Sequence, residues 1–447
     1  MICVIIYSTP LFDGGSIMAT FKINTEKTIG KIKPMHGVGQ PPIIGGAYFK
    51  MFRYLTEAGI PYSRLHDVGG AYGGGRFVDI PNIFRNFDAD ENLPESYSFA
   101  FTDGVIKALM ESGAEPFFRL GVTIENDHTV DAFNIYPPKD FAKWARICEH
   151  IIMHYTEGWA DGFNYDIKYW EIWNEPDNAP DLETNQMWLG TKEEYFELYD
   201  ITSKHLKSRF PHLKIGGYAS CGFYQIAGAY DPAANCSPRR AYFLEFFDDF
   251  LVYVKEHGCP LDFFSWHTYD KCVYNVKQYA LYARRRLDEY GFTKTETSCN
   301  EWNTDIDKRG TCYHAAKVSA IMLAMQNGPL DNAMFYDARC GISAYGSLFD
   351  PMTKLPTPSY YAFTAFNRLY KLGEQIEVTF DGEEIEAVAA KGEEGCALVI
   401  ANYGAEAELS LPGITPKYFI VTDKRGCDRY TEILNTLPTE SIVSVIF

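Results

Sequence analysis

The sequence predicts a (β/α)8 barrel followed by a small antiparallel β-sandwich. Three observations lead there. Between residues 31 and 373, short apolar segments alternate with amphipathic helical patterns, giving eight strand-helix units. After Gly373 the texture changes to short alternating or apolar runs, separated by Asp-Gly, Lys-Gly and Pro-Gly turns. No Gly-x-Gly-x-x-Gly opens a helix after the first strand, which argues against a doubly wound sheet, the second-ranked fold.

The elements follow in order. Residues 1–17 carry a short apolar run without a basic flank, too short for a secretory or spanning segment, and Met18 begins a more ordinary start. Residues 1–30 therefore read as an upstream extension plus a strand near Ala19–Asn24 that joins the sandwich. Residues 31–373 form the barrel and 374–447 the sandwich. The eight barrel strands are expected at Lys33–Val38, Pro61–His66, Pro116–Gly121, Ile167–Trp173, Leu213–Tyr218, Leu261–His267, Glu296–Asn300 and Asn332–Tyr336. Helices are expected from Ala47, Asp140 and Thr191, with a last one from Ser359. The Gly-rich stretch GAYGGG at Gly70–Gly75 lacks the strand-to-helix context of a phosphate cradle and reads as a loop. In the last part, EIEAVAA, CALVIAN, AELSLPG and SIVSVIF are the strand candidates.

Composition removes several functions. The net charge of -18 repels nucleic acid and anionic membranes, so neither is expected as a partner. Homo-oligomerisation is left open. The 11 cysteines are odd in number and show no CxxC or Cys/His spacing, so no structural zinc is expected; scattered thiols suit a reducing cytoplasm. Aromatic residues reach 15%, which serves a large core and sugar stacking equally well.

The chemistry sits in two short motifs. YWEIWNEPDN, Tyr169–Asn178, ends the fourth predicted barrel strand, and Asn300–Glu301–Trp302–Asn303 ends the seventh. Barrel chemistry lies where strands end and loops begin. Strands four and seven face each other, so Glu175 and Glu301 are expected to meet over the mouth. Paired carboxylates are what a retaining glycosidase needs, one as nucleophile and one as acid. No cofactor is implied, because two carboxylates suffice. Strict alternation would put Tyr169, Glu171, Trp173 and Glu175 on one side of the strand, and Pro176 would stop the ladder there.

These motifs resemble the retaining glycosidases with Asn-Glu-Pro on strand four, and within them glycoside hydrolase family 39, the β-xylosidase and α-L-iduronidase family. The matching stretches include KPMHGVGQPP, PYSRLHDVGG, YWEIWNEPDN, LDFFSWHTYD, CNEWNT and PTPSYYAFTAFNRLYKLG, in the family's order over most of residues 33–373. The resemblance implies Glu175 as acid/base and Glu301 as nucleophile. It implies that Asn174 bonds the sugar 2-OH, that Arg64 and Tyr269 hold Glu301, and that His66 and His267 line the sugar pocket. Arg64 could instead neutralise Glu171, and each histidine could be a satisfied core residue. Trp173 and Trp302 are packing or stacking residues, with Trp302 the better stacking candidate. No metal is expected, since neither His66-Asp67 nor His267 with Asp270 has a third ligand placed by spacing.

Two segments depart from the family pattern. FRLGVTIEN follows where a carboxylate-bearing motif is usual, and MFYDARC on strand eight lacks a tryptophan. Arg119 there is read as pairing with an acid such as Glu125; an acidic sugar is the other reading. The expectation is a retaining exo-acting hydrolase of oligosaccharides, β-xylosidase-like. An α-L-arabinosidase, a β-glucosidase or galactosidase, a uronic-acid-specific enzyme, a transglycosylase and a non-catalytic sugar-binding barrel remain the alternatives.

Overall fold

The computed structural model describes residues 18–43, 50–68, 78–124, 134–231, 234, 236–340 and 343–447. GAYGGG and Glu125 lie outside the described residues. The described residues open with a long strand, β1 (Met18–Lys31), and then enter the barrel with β2 (Gly37–Gly39) and α1 (Arg53–Ala58). β3 (Tyr62–Leu65) is followed by α2 (Ile80–Ile83) and α3 (Ala100–Ser112), and β4 (Glu115–Leu120) by α4 (Phe141–Thr156). The next pairs are β5 (Tyr169–Ile172) with α5 (Lys192–Arg209), and β6 (Lys214–Ser220) with α6 (Pro238–His257). β7 (Phe263–Thr268) with α7 (Val273–Tyr290), β8 (Glu296–Trp302) with α8 (Cys312–Gln326), and β9 (Asn332–Phe335) with α9 (Tyr360–Leu372) complete the circuit. β2 through β9 pair in parallel and close into a barrel, β9 returning to β2.

Local chemistry explains the helix ends. Thr191 and Glu194 exchange side-chain and backbone hydrogen bonds at the start of α5, satisfying two otherwise orphaned donors. Asp140 and Ser237 cap α4 and α6 in the same sense. α8 is buried over nearly its whole length, with polar His314, Ser319 and Gln326 inside as well. A helix covered on every side needs cover beyond its own barrel.

That cover is the C-terminal sheet. β10 (Glu374–Phe380), β11 (Ile385–Gly392), β12 (Gly395–Asn402), β13 (Ala407–Ser410), β14 (Tyr418–Asp423), β15 (Gly426–Thr431), β16 (Thr436–Leu437) and β17 (Ser441–Ile446) build it together with β1. β1 runs antiparallel to β10 but parallel to β13, so the unit is not purely antiparallel as the sequence suggests. One face of β11 and β12 (Ala387, Ala389, Leu398, Ile400) turns to a second core with Phe21, Phe419 and Val443. The other face (Val388, Ala390, Ala397, Val399, Ala401) joins the barrel core. This two-sided burial is why these strands read as continuous apolar runs.

Inside the barrel, Phe117, Tyr169, Phe263 and Met334 form the floor. Above them lies a polar layer of Arg64, Arg119, Glu171 and Asn300, all buried. Among the described residues, no helix is long and apolar enough to cross a membrane.

Candidate active site

Glu171 anchors the polar layer. It accepts from Ser265 Oγ at 2.6 Å, Asn300 Nδ2 at 2.5 Å and Arg64 Nε at 2.8 Å. Arg64 then spreads its other nitrogens upward. Nη1 donates to Glu301 Oε2 at 3.0 Å and Nη2 to Asn174 Oδ1 at 2.5 Å. The two readings of Arg64 are thus one arrangement: it neutralises Glu171 and also grips Glu301. Its planar fork serves three acceptors, two from β5 and its end and one from β8, which a lysine could not do.

Both Asn-Glu pairs escape strand alternation, by different means. On β8 a register shift falls between Cys299 and Trp302, so Asn300 and Glu301 both point inward. On the β5 side, Trp173 takes φ 71° and Glu175 φ 43°, a left-handed backbone that breaks the period just past the strand. Asn174 and Glu175 then both enter the mouth, while Trp173 turns outward. It donates from Nε1 to Met187 O at 2.8 Å and lies edge-to-face on Trp188. The expected single-sided row from Tyr169 to Glu175 therefore holds only through Glu171.

Trp302 is also corrected. The residue after the bulge turns away from the mouth, where its ring meets Phe335 of β9 edge-to-face at 5.1 Å and is 0% exposed. It is a packing residue with no face open to a sugar.

The two glutamates have different partners. Glu301 accepts from Arg64 and, at 2.5 Å, from the Tyr269 hydroxyl. Burial and the Glu301 charge hold that phenol protonated, its pKa well above the usual tyrosine range. Glu175 accepts from Asn178 Nδ2 at 2.9 Å and pairs with His267 Nδ1 at 2.7 Å. Burial pushes Glu175 up, but the His267 hydrogen bond and charge outweigh it and leave the carboxyl below its ordinary range. Burial disfavours the His267 cation, yet the Glu301 charge and the bond to Glu175 raise its pKa above the ordinary value. The proton of this pair thus rests on His267.

One oxygen of Glu175, one nitrogen of His267 and one oxygen of Glu301 lie within 4.8 Å of one another. The spacing would admit a metal ion, but Arg64 already supplies a positive charge to Glu301. His66 is buried beside Asp67 at 3.2 Å, its pKa driven well below the usual value by burial and by the charges of Arg119 and Arg64, so the ring is neutral. Asp270 is held by Tyr279, Asn275 and the Cys272 N–H rather than by His267. Arg119 pairs with Asp79 at 2.7 Å, both fully buried. An acid does meet it, but from the α2 approach.

Several mouth residues carry no distinct sequence signal. Gln40 donates to the Tyr336 hydroxyl at 2.5 Å, which donates to Asp67 at 2.9 Å. Asp67 is pushed up to about 6 by burial and the nearby Glu301 charge. Tyr336, Tyr345 and Tyr269 make an aromatic wall, their rings 5.1–6.4 Å apart. This wall stands where a strand-eight tryptophan was missed. Asp177, two residues after Glu175, is pushed up to about 7 by burial.

The chain resembles known proteins at each level. It is 25% identical over 362 residues to a β-xylosidase of Geobacillus stearothermophilus, covering 71% of this chain and 66% of that protein. It is 27% identical over 384 residues to a β-xylosidase of Caldicellulosiruptor saccharolyticus, covering 78% and 70%. The chain thus spans about two thirds of the length of these relatives. In fold it matches a glucosidase from Croceicoccus marinus with TM-score 0.76 at 20% identity, over 96% of this chain and 98% of that one. The family model for glycosyl hydrolases family 39 matches residues 50–296, more than half of the sequence, and the chain belongs to that family.

Proposed function

We propose that the chain is a retaining, exo-acting glycoside hydrolase of β-xylosidase type, with Glu301 as nucleophile and Glu175 as acid/base. The carrying observation is the carboxylate spacing of 4.8 Å or less. It is close to the roughly 5–5.5 Å suited to a covalent intermediate, and short of the roughly 6.5–9.5 Å that leaves room for an inverting water. The two β-xylosidase relatives support xylose as the sugar.

In the first step an oxygen of Glu301 attacks the anomeric carbon as the glycosidic C–O bond breaks, and Glu175 gives a proton to the departing oxygen. In the second step Glu175 takes a proton from water, whose oxygen attacks the same carbon and releases Glu301. Arg64 and Tyr269 suit Glu301 to its part, since both stabilise a charged, fixed carboxylate. Asn174 has its Oδ1 engaged by Arg64, which leaves the amide NH2 to donate to a sugar hydroxyl. His66, held neutral, suits the sugar pocket as a hydrogen-bonding wall.

The test is release of p-nitrophenol from aryl β-xyloside, α-L-arabinosides, β-glucoside, β-galactoside and an α-L-iduronide analogue, with Glu301→Ala in parallel. A strong β-xyloside signal should fall by about 10⁴-fold in the variant. Retained activity would remove Glu301 as nucleophile. Sugar binding without turnover on any substrate would favour the sugar-binding barrel instead.

A further inference from the structure

Glu175 lies past the end of β5 with φ 43°, a conformation that a non-glycine residue keeps only when its surroundings hold it. The next three residues supply part of that hold. Pro176 and Asp177 form a turn, closed by the Asn178 N–H, which donates to the Glu175 carbonyl at 3.0 Å. Such a turn returns its fourth residue to its first. The Asn178 side chain therefore comes back over the carboxylate, and its Nδ2 donates to Glu175 Oε2 at 2.9 Å. His267 Nδ1 holds the other oxygen, Oε1.

Asn178, itself buried, is fixed from several elements. Its neighbour Asp177 accepts from Ser220 Oγ at 2.7 Å and from the Cys221 N–H at 3.2 Å, which pins the turn to the end of β6. Arg239 Nε, on α6, donates to the Asn178 carbonyl at 2.5 Å. Asn185 Nδ2 spans the turn, donating to Pro176 O at 3.0 Å and to Ala179 O at 3.1 Å. Cys221 Sγ lies 3.7 Å from Asn178 Nδ2, but a sulfur is a weak acceptor and does not compete with a carboxylate. The two contacts of Glu175 then differ in kind. His267 exchanges a proton with Oε1, so that bond changes character within a catalytic cycle. An amide N–H does not titrate, and it donates to the carboxyl whether that group is charged or protonated.

We infer that Asn178 is the positioning residue of the acid/base, acting through Glu175 to keep the carboxyl in one direction while its proton comes and goes. It rests on the assignment of Glu175 above. Asn178→Ala and Asn178→Leu, the second close to asparagine in size, are compared with wild type on phenyl and 2,4-dinitrophenyl β-xylosides. Phenolate leaves slowly without a proton, whereas dinitrophenolate needs little help. Both variants should lose about 10²-fold in kcat/KM on the phenyl glycoside, and at least about tenfold less than that on the dinitrophenyl one. Equal losses on the two substrates, or no loss on either, would overturn the positioning role while leaving the glycosidase reading intact. A loss in Asn178→Ala that Asn178→Leu restores would assign the effect to packing rather than to the N–H, and overturns it as well. If wild type prefers another sugar among the aryl glycosides above, the same two leaving groups are compared on that sugar. Should wild type cleave none of them, the glycosidase reading and the positioning role fall together.

Discussion

Glu301 accepts from an arginine and a tyrosine that hold its charge, while Glu175 shares a proton with His267. The same side chain is thereby given two chemistries. His267 reaches both, with Nε2 3.8 Å from Glu301 Oε2. Its protonated form, disfavoured by burial, depends first on the Glu301 charge. In the proposed mechanism Glu301 becomes an ester and that support is lost, so the proton would be released in the step that consumes it. On hydrolysis the charge returns and the pair takes a proton back. This predicts the effect of His267→Gln. A second site for the proton can only raise the pair's proton affinity, so the variant must lose its acid proton at lower pH. The alkaline limb of kcat/KM, above the ordinary histidine value in wild type, should move to lower pH. Asp177, at about 7, titrates nearby and lies on the same side of Glu175, while Asp67, Arg64 and Glu301 face the site from the other strands. Asp177→Asn is therefore measured alongside. A limb that moves with Asp177→Asn and not with His267→Gln would assign it to Asp177.

At the scale of elements, the eight barrel strands were legible because parallel strands buried on both faces read as apolar runs. The chemistry at their ends was legible in kind, since Glu175, Glu301, Asn174, Arg64, His66, His267 and Tyr269 do converge. Side-chain direction was not. A period of two predicts opposite directions for neighbours, and the bulge on β8 and the left-handed Trp173 and Glu175 override it at the functional positions. That is why Trp302 and Trp173 were weighed as stacking residues although both are packed away from the mouth, against Phe335 and Trp188. Gln40 and Tyr336 were missed because each takes its meaning from a partner nearly 300 residues away. The close approach of β6 and β7 has a consequence that can be measured. Gly222 has φ 114°, and a Cβ there would lie 2.4 Å from the His267 carbonyl oxygen. Gly222→Ala should displace His267 from Glu175 and lower kcat/KM by about 10²-fold. Gly113, with φ 86° and nothing within 4 Å of a Cβ, is the control. Gly113→Ala should carry only local strain and leave kcat/KM unchanged. Equal losses in the two variants would point to general destabilisation instead.

At the scale of the molecule, barrel and sheet share one core. β11 and β12 send alternate residues in opposite directions, one set to the sheet's own core and the other, including Val399 and Ala401, to the core that also holds Phe363 and Leu323. β1 lies in this sheet and leads into β2, so the strand that precedes the barrel and the strands that follow it are tied to the same unit. Buried α8 lies beneath β11 and β12, and removing them would expose an apolar helix face rather than a polar one. The two parts should therefore unfold together, although the sheet also has a second core of its own. In Val399→Asp a carboxylate replaces a fully buried apolar side chain, and Arg368, the cation that reaches the facing Ser444, is already engaged by Asp428. The expected loss is several kcal/mol, about 3 or more, because an unpaired charge is desolvated. Thermal unfolding of wild type, followed by far-UV circular dichroism and by residual activity, should give one coincident transition. In the variant both curves should move down together. If activity instead outlasted an early transition of the sheet, the barrel would be stable by itself and the shared core would contribute little to holding the site.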